Sequence, residues 1–397
     1  MLKRNSDLFK IVTINTLILS VIFHQYPVLY LATFYGITYP QTKLTNYLLN
    51  KIMRQRSYEF REKMLLDKNF RNTVQNDLKA ENQGKIFREI FNHTNASFKI
   101  GEFDGEVYTK RLPNVVCIGA KKCGTGAFQQ FLSGHPQVVR TLNTVDEPHF
   151  FDQDSNFEQG IEFYRNMFSI SKRSDLVFEK TPKYLGSKLA AKRIKEIFQN
   201  DIKIVVVVCN PVYRAWSDWS HVIHSNGTGF GEKMKKYKNF DDFVDNVTKK
   251  LEHQDRGNDD EFVMNVYSSK HSETSIISNG LYGVQLRYWR RFFKSNMFYF
   301  VDGDKLISEP GDEMIRFQEN IGIPAVIGPR DFKWNKEKGF YCYLRGKTRS
   351  HCLGKGKGRT RGNNALKMSN WAESRLAEFY ESFNEDFFKL FKKEYDW

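Results

Sequence analysis

The sequence has few cysteines, and fewer acidic residues than basic ones. Five cysteines in 397 residues are too few for a disulfide scaffold, and an odd number leaves at least one thiol unpaired. The chain carries 46 Asp and Glu against 61 Lys and Arg, which gives a net charge of +15. This imbalance predicts a polyanionic partner, and charge alone leaves open whether it is a nucleic acid, an anionic membrane or an acidic glycan.

No internal repeat or low-complexity tract divides the chain, and no Cys/His spacing suggests a zinc site. What is present is an apolar content of 40% with 27% charged residues. A chain of this length and composition can bury one large core or two modest ones, which excludes a disulfide miniprotein and a disordered chain.

Residues 11–42 form an uncharged stretch of 32 residues rich in Leu, Ile, Val, Phe and Tyr. A bilayer needs about 20 apolar residues. Because no small-residue cleavage site stands out, we predict an uncleaved signal-anchor helix over 11–36, after a cytoplasmic tail at 1–10, rather than a removed signal peptide. A buried helical hairpin is the alternative. Four Asn-x-Ser/Thr triplets favour a lumenal body, and they begin at Asn92, Asn95, Asn226 and Asn246.

Residues 37–112 are polar, charged and helix-prone, with no strand-like run, and we interpret them as a stem. From residue 113 to 397, short apolar runs alternate with helix-compatible segments. This pattern predicts a single α/β domain whose central parallel sheet is covered by helices on both faces. The predicted strands are 114–119, 176–178, 202–208 and 297–301. The predicted helices are 127–132, 187–198, 214–224, 280–293 and 304–321.

The loop Gly119–Ala127 follows a predicted strand and opens a helix, as in a P-loop-like strand-loop-helix unit. Successive backbone N–H groups and the helix N-terminus would then point at one spot, as phosphate binding requires. The P-loop of nucleoside triphosphate-binding proteins has a Lys directly after its second Gly. Here Lys122 precedes Gly124, and Thr125 follows it. A lysine before the turn can lie beside the bridging oxygen of a leaving group. An ordinary glycine-rich turn with exposed lysines is the alternative.

Four further segments, in order, extend this pattern into a family resemblance. Gly119–Ala127 resembles the 5′-phosphosulfate loop of sulfotransferases that use 3′-phosphoadenylyl sulfate (PAPS). Glu147–Asp152 and Phe178–Tyr184 resemble the catalytic and Glu-Lys-Thr-Pro-x-Tyr segments of heparan sulfate glucosamine 3-O-sulfotransferases. Asn210–Ser217 resembles the 3′-phosphate segment. Gly339–Arg359 resembles the C-terminal cofactor clamp shared with the N-sulfotransferase half of the N-deacetylase/N-sulfotransferases. The resemblance implies the sulfotransferase fold over residues 113–397.

The resemblance also implies the catalytic residues. Sulfuryl transfer is in-line and passes through a loose transition state, so charge on the leaving phosphate must be stabilised and the sugar nucleophile activated. Lys122 would serve the leaving group, and Lys180 would assist near the sulfuryl group or the acceptor. Glu147 would be the general base, because a sugar hydroxyl needs a carboxylate within hydrogen-bond reach. His149 and Asp152 would orient that base and the acceptor.

The cofactor would be PAPS, a co-substrate, with no metal. The implied cofactor-binding residues are Lys121, Lys122, Cys123, Gly124, Thr125, Gly126, Ala127, Ser217, Lys355, Lys357 and Arg359. Cys342 and Cys352 lie ten residues apart across a Gly-bearing turn in the clamp, and we predict a disulfide between them in an oxidising lumen. Cys117, Cys123 and Cys209 would then stay reduced.

The basic segment from Trp334 to Arg361 has nine Lys and Arg against one acid, a local charge of +8 (nine minus one), which suits a sulfated polysaccharide as well as the cofactor. We therefore expect heparan sulfate or a related glycosaminoglycan as partner, and no nucleic acid. The resemblance places the chain in the Golgi membrane as a single-pass type II protein with a lumenal catalytic domain.

The chain departs from the family patterns at several positions, which leaves the acceptor open. Cys209 stands where many sulfotransferases carry an Arg before the 3′-phosphate serine, and Gly126, Gln130 and His221 replace acceptor-side residues of the 3-O family. We favour 3-O-sulfation of glucosamine in heparan sulfate. N-sulfation, and a catalytically inactive glycan-binding protein on the same scaffold, are the alternatives. A P-loop NTPase is disfavoured by the misplaced lysine.

Overall fold

The structure, a computed structural model, describes residues 99–103, 106–142, 145–224, 229–253, 264, 273–345, 349–352 and 368–397. The predicted tail, the signal anchor, most of the stem and three clamp residues (Lys355, Lys357 and Arg359) lie outside these residues. Among the described helices, none combines the length and the apolar character that crossing a membrane requires.

The chain divides into two compact units, Met1–Lys110 with Ile170–Arg173, and Arg111–Ser169 with Ser174–Trp397. The first unit contains an antiparallel sheet of three short strands in the order β1-β2-β5. They are β1 (Lys99–Phe103), β2 (Glu106–Lys110) and β5 (Ile170–Ser171). The expectation that no strand precedes residue 113 was therefore wrong.

The second unit is built on a five-stranded parallel sheet, and the predicted α/β class is confirmed. Its strand order is β4-β6-β3-β7-β8. The strands are β3 (Val115–Gly119), β4 (Val138–Arg140), β6 (Leu176–Lys180), β7 (Lys203–Val208) and β8 (Phe298–Asp302). Every residue of β3 and β6 is buried. Burial of both alternating sets of side chains means that both faces of the sheet are covered.

Helices, of which the longer ones bury apolar side chains, follow the strands. They are α1 (Thr125–Leu132), α2 (Asp154–Phe157), α3 (Gly160–Asn166), α4 (Lys188–Phe198), α5 (Pro211–Ile223), α6 (Gly229–Met234), α7 (Phe240–Glu252), α8 (Ser275–Ser278), α9 (Tyr282–Arg290), α10 (Lys305–Ser308), α11 (Pro310–Ile321) and α12 (Asn370–Phe391). The predicted helix 304–321 is two helices, because Pro310 lacks the N–H that a continuous helix needs and instead starts α11.

Aromatic side chains link the central helices to the sheet. Phe128 of α1 makes edge contacts with Phe178 of β6 and Phe317 of α11, at ring-centroid distances of 5.8 and 4.7 Å. Phe391 of α12 packs on Phe300 of β8 at 4.8 Å. These contacts fix α1, and therefore the loop that precedes it, against the centre of the sheet.

A second antiparallel sheet follows α11, with strand order β11-β10-β9. Its strands are β9 (Phe332–Asn335), β10 (Phe340–Arg345) and β11 (Arg349–His351). Cys342 of β10 and Cys352, just after β11, form a disulfide with a Cα–Cα distance of 4.5 Å. This is the pairing that the sequence predicted, and it fastens the start of the basic clamp segment to the sheet.

Candidate active site

The predicted site residues gather at the carboxyl edge of the parallel sheet. Lys180, the last residue of β6, pairs in register with Cys117 of β3, and the Thr181 N–H donates to the Cys117 carbonyl at 3.0 Å. The loop after β3 starts at Ala120, three residues beyond Cys117. Parallel strands deliver their following loops to one edge, where α/β proteins bind their ligands. The loop that holds Lys122 and the segment that starts at Lys180 therefore share this edge.

The loop after β3 turns sharply into α1. The Ala120 N–H donates to the Val207 carbonyl of neighbouring β7 at 2.7 Å, which ties the start of the loop to the sheet. Lys122 and Gly124 both have left-handed backbones, with φ of 74° and 91°. A non-glycine residue held in this region costs about 1–3 kcal/mol and is typical of functional loops. Lys122 is half-buried.

The N-terminus of α1 is arranged as an anion site. Among the described residues, no side chain caps it, and Gly124 is its N-cap. The first four N–H groups of a helix have no intrahelical acceptor, and together they attract phosphate or sulfate. Here they belong to Gly124, Thr125, Gly126 and Ala127, which are four of the predicted cofactor-binding residues.

Cys123 differs from its prediction in two ways. Its N–H is occupied by the Ala120 carbonyl at 3.1 Å, so the turn itself uses this donor. Its side chain forms a disulfide with Cys209, the residue after β7, so the expectation that these two thiols stay reduced was wrong. Cys117 is a buried free thiol, and burial raises its pKa to about 12.

Lys121 is tied to a buried carboxylate. Its Nζ lies 2.8 Å from Asp218 Oδ1 on α5, and the side chain of Asp218 is fully buried. Arg214, also fully buried, lies 3.1 Å from Asp218 Oδ2 and donates to the Ile276 carbonyl. Burial would raise the pKa of Asp218, but the two neighbouring cations outweigh it and lower the pKa. This ion cluster connects the first loop to the helix that carries Ser217.

Glu147, His149, Asp152 and Lys180 form one charged cluster. Lys180 Nζ donates to Glu147 Oε1 at 2.8 Å, although the lysine side chain is only 2% exposed. His149 Nε2 lies 3.5 Å from Glu147 Oε2, and His149 Nδ1 lies 3.0 Å from both Asp152 carboxylate oxygens. The Glu147 side chain is 34% exposed, so this carboxylate is the member of the chain of charges that solvent reaches most easily.

The cluster shifts the titration of Glu147 and His149. Burial would raise the pKa of Glu147, but hydrogen bonds and charge from His149 and Lys180 outweigh it and hold the pKa at about 2. Hydrogen bonds to Asp152 and Glu147 raise the pKa of His149 to about 9. At neutral pH the carboxylate of Glu147 is therefore ionised and His149 is an imidazolium that can donate from both ring nitrogens.

Buried hydroxyl groups hold the backbone of this segment. The His149 N–H donates to Thr181 Oγ1 at 3.4 Å, and the Phe150 N–H donates to Tyr184 Oη at 2.9 Å. On the other side, the Asn156 amide donates to the His149 carbonyl at 3.2 Å. His149 has a left-handed φ of 50°, and these bonds from both sides maintain it.

Glu179 lies below these hydroxyls and was not identified from the sequence. Its carboxylate is fully buried and accepts hydrogen bonds from Tyr164 Oη at 2.6 Å and Thr181 Oγ1 at 2.7 Å. Burial raises the pKa of Glu179 to about 7, although the hydroxyl hydrogen bonds oppose the shift. Tyr164 also stacks on Phe150, with ring centroids 4.4 Å apart. In the sequence, Glu179 is the first residue of the Glu-Lys-Thr-Pro-x-Tyr segment and follows three apolar residues, but nothing in the sequence assigns it these hydrogen-bond partners.

Ser217 and three clamp residues are the remaining predicted contacts with the cofactor. Ser217 is half-buried on α5, whose N-cap Asn210 accepts the Val212 N–H with its side chain at 2.9 Å. Lys355, Lys357 and Arg359 lie outside the described residues. Among the described residues, no group of three or more His, Cys, Asp and Glu is arranged to hold a metal ion.

Comparison with known proteins identifies the family. Residues 112–395 match the family model described as "Sulfotransferase domain". Human heparan sulfate glucosamine 3-O-sulfotransferase 3B1 is 33% identical over 291 residues, which are 73% of this chain and 66% of that protein. For human 3-O-sulfotransferase 3A1 the identity is 33%, with 73% and 63% covered. For human 3-O-sulfotransferase 6 it is 31%, with 72% and 74% covered.

The match spans slightly less than two thirds of the first two relatives and about three quarters of the third. The family model, which matches residues 112–395, spans the whole parallel sheet and the loops at its carboxyl edge. The chain therefore belongs to the sulfotransferase family, as a relative of the heparan sulfate glucosamine 3-O-sulfotransferases.

Proposed function

We propose that the protein transfers the sulfuryl group of PAPS to the 3-hydroxyl of glucosamine in heparan sulfate. The observation that carries this proposal is one shared sheet edge. It presents an uncapped helix N-terminus with Lys122 beside it, and the ionised Glu147 held by Lys180. An anion site and a proton acceptor at the same edge are what this transfer requires.

The residues present fit the donor. PAPS supplies an activated sulfuryl group on the 5′-phosphate of a 3′,5′-bisphosphate. The N–H groups of Gly124, Thr125, Gly126 and Ala127 would hold the 5′-phosphosulfate, together with the Thr125 hydroxyl. Lys122 would neutralise the charge that develops on the bridging oxygen as the bond from that oxygen to sulfur breaks. Ser217 would contact the 3′-phosphate, and Lys355, Lys357 and Arg359 would close on the donor.

Lys121 takes a different part in this proposal from the one its sequence position implied. Its ammonium is paired with buried Asp218, so it orients the loop, and Lys122 carries the contact with the donor. The distinction matters for mutagenesis, because the two adjacent lysines would then affect different measurements. Lys121 should affect stability, and Lys122 should affect turnover.

Glu147 is the proposed base. As the acceptor oxygen forms its bond to sulfur, Glu147 takes the hydroxyl proton, and the bisphosphate leaves with the electrons of the broken bond. A pKa near 2 keeps Glu147 ionised but makes it a weak base. If Lys180 turns its hydrogen bond toward the sulfuryl oxygens when the donor binds, Glu147 loses its nearest cationic partner and becomes more basic. His149, fixed by Asp152, would keep the carboxylate oriented.

Heparan sulfate is the proposed acceptor because the relatives described above carry it in their names and because this chain carries a net charge of +15. N-sulfation remains the second candidate, favoured by the Asn210–Ser217 segment and the C-terminal clamp, which resemble the N-sulfotransferases. We also propose a lumenal, Golgi-membrane location, supported by the uncharged residues 11–42 and the four glycosylation triplets.

The test is transfer of labelled sulfuryl from PAPS to heparan sulfate by the whole chain, followed by disaccharide analysis of the product. We expect label on the 3-oxygen of glucosamine. An acceptor that is already fully N-sulfated separates the two positions, since it should still be modified at the 3-oxygen but not at nitrogen. Absence of transfer to any glycosaminoglycan would reject the proposal.

Two rival functions have their own controls. A nucleotide triphosphatase would show a thermal shift with ATP and magnesium, whereas we expect a shift only with adenosine 3′,5′-bisphosphate. An inactive glycan-binding protein would bind heparin normally and transfer no label. In that case Lys122→Ala would change neither measurement.

A further inference from the structure

Two segments of the proposed donor site are joined by a covalent bond. Cys123 lies in the loop just before Gly124, the N-cap of α1. Cys209 directly follows β7 and precedes Asn210, the N-cap of the helix that carries Ser217. The disulfide Cys123–Cys209 spans 86 residues of sequence with a Cα–Cα distance of 5.3 Å. It therefore connects the segment proposed for the 5′-phosphosulfate to the segment proposed for the 3′-phosphate.

Tyr282 supports this junction from α9. Its hydroxyl donates to the Cys209 carbonyl at 2.9 Å and lies 3.1 Å from Cys123 Sγ, and the residue is only 1% exposed. A single buried hydroxyl thus contacts both halves of the disulfide. Phe387 and Trp397 make edge contacts with the Tyr282 ring, at centroid distances of 6.0 and 5.8 Å.

Gly303, just after β8, closes the junction on the side of the neighbouring strand. Its N–H donates to the Val208 carbonyl at 2.7 Å. A Cβ at this position would collide with the Cys123 carbonyl oxygen and lie 3.2 Å from Cys209 Cβ. The loop therefore packs directly on the backbone of Gly303, and any side chain there would push Cys123 away.

The position of the disulfide within the loop explains why it would matter. Cys123 lies between the two left-handed residues of the loop, Lys122 and Gly124. A backbone that alternates in this way forms a concave anion-binding arrangement, but a free loop can relax out of it. Fixing the middle residue restricts both neighbours at once, so the binding conformation exists before the ligand arrives. Preorganisation of this kind increases affinity because less ordering remains to be done on binding.

We propose that the Cys123–Cys209 disulfide, supported by Tyr282 and Gly303, is a positioning element that holds the donor loop in its binding conformation. This proposal rests on the proposed function, since it assigns the loop to PAPS. Loss of the disulfide should therefore weaken donor binding and should affect turnover less once the donor is saturating. If the disulfide only stabilised the fold, its loss would lower the melting temperature without affecting donor affinity more than turnover.

The first experiment is peptide mapping of the native, whole chain after alkylation without reductant. Recovery of a Cys123–Cys209 cross-linked peptide is expected. Alkylation of both cysteines as free thiols would overturn the proposal, whatever the enzyme does.

The second experiment compares the wild type with C123A/C209A and with Cys117→Ala, a matched loss of a buried thiol outside the junction. Titration with adenosine 3′,5′-bisphosphate should show the dissociation constant rising about tenfold or more in the double variant and staying unchanged in Cys117→Ala. The Michaelis constant for PAPS should rise in parallel, with kcat changed less. Equal affinity of the double variant and the wild type would overturn the proposal.

Gly303→Ala provides a test that leaves both cysteines in place and serves if the double variant does not fold. It should weaken bisphosphate binding with the disulfide intact, and unchanged affinity would count against the proposal.

Failure of the proposed function and failure of the positioning role give different results. If the wild type neither binds the bisphosphate nor transfers label, the proposed function is wrong. If the wild type does both and these variants behave like it, only the positioning role is wrong.

Discussion

Lys180 donates a hydrogen bond of 2.8 Å to Glu147 from a position where only 2% of its side chain is exposed. A buried ammonium needs an anionic partner, since an unpaired buried charge is strongly unfavourable. The pair thus ties the end of strand β6, a neighbour of the central strand β3, to the segment that carries the proposed base. It also gives a resting state in which the base is ionised and held in place.

Replacement of Glu147 by Gln should lower kcat by about 10²- to 10⁴-fold, the usual contribution of a positioned base. The amide preserves shape but cannot take the proton. The measurement is label transfer at saturating donor and acceptor. Bisphosphate affinity should not change, and Glu162→Gln, a loss of a surface carboxylate on α3, should have wild-type turnover. Retention of more than a tenth of the activity by Glu147→Gln would exclude it as base.

The charged state of His149 predicts how stability depends on pH. Its pKa is raised from 6.5 to about 9 in the folded chain, mainly by Asp152 and Glu147. A raised pKa stabilises the fold fully below pH 6.5, and this contribution, about 3 kcal/mol, is lost as pH rises through 9. Urea unfolding of the wild type and of His149→Gln should therefore give free energies that differ at pH 6 and converge above pH 9. A difference independent of pH would contradict the ion pairing.

Glu179 should act through the backbone that it supports, without touching substrate. Glu179→Ala removes the acceptor for the Tyr164 and Thr181 hydroxyls. Thr181, which accepts the His149 N–H, is then no longer held in place by a hydrogen bond to Glu179. We expect kcat to fall about 10- to 100-fold, as for other outer-shell partners, with bisphosphate affinity retained. Tyr164→Phe, which removes one donor only, should show a smaller loss. Equal losses of kcat and bisphosphate affinity would indicate general damage to the fold.

Asp218 should be important for stability. Asp218→Asn leaves Arg214 fully buried without its carboxylate partner, and loss of one member of a buried ion pair typically costs about 3–5 kcal/mol. Lys121→Met should cost less, because its side chain is 29% exposed and its ammonium can reach water. Chemical denaturation of both variants measures the two values. Equal costs would show that the Arg214–Asp218 pair is not the principal interaction.

Much of the parallel sheet was predictable because its signal is local. Strands β3, β6, β7 and β8 each contain a run of at least three consecutive apolar residues, and the alternation with helices indicates parallel pairing. Strand β4 has only three residues and β5 has two, and β5 pairs with β2, which is distant in sequence. These could not be read from composition or periodicity.

The active site likewise has residues that the sequence could predict and contacts that it could not. The charged residues of the cluster stand in two short motifs, and the family resemblance located them. The partners of Glu179 and the link between Cys123 and Cys209 depend on which strands are neighbours. Since β3 lies beside β7, the residues that follow these strands meet. The cysteine count allowed two disulfides but could not show that the second one crosses the sheet edge.

The left-handed backbone of Lys122 leads to a trade-off that protein engineering would expose. Glycine adopts φ near 74° without penalty, so Lys122→Gly should raise the free energy of unfolding by about 1 kcal/mol. The same change removes the proposed leaving-group cation and should abolish sulfuryl transfer. A screen that selects only for thermal stability would thus favour an inactive variant at this position. At Lys122 the wild-type sequence gives up conformational stability in favour of catalytic activity.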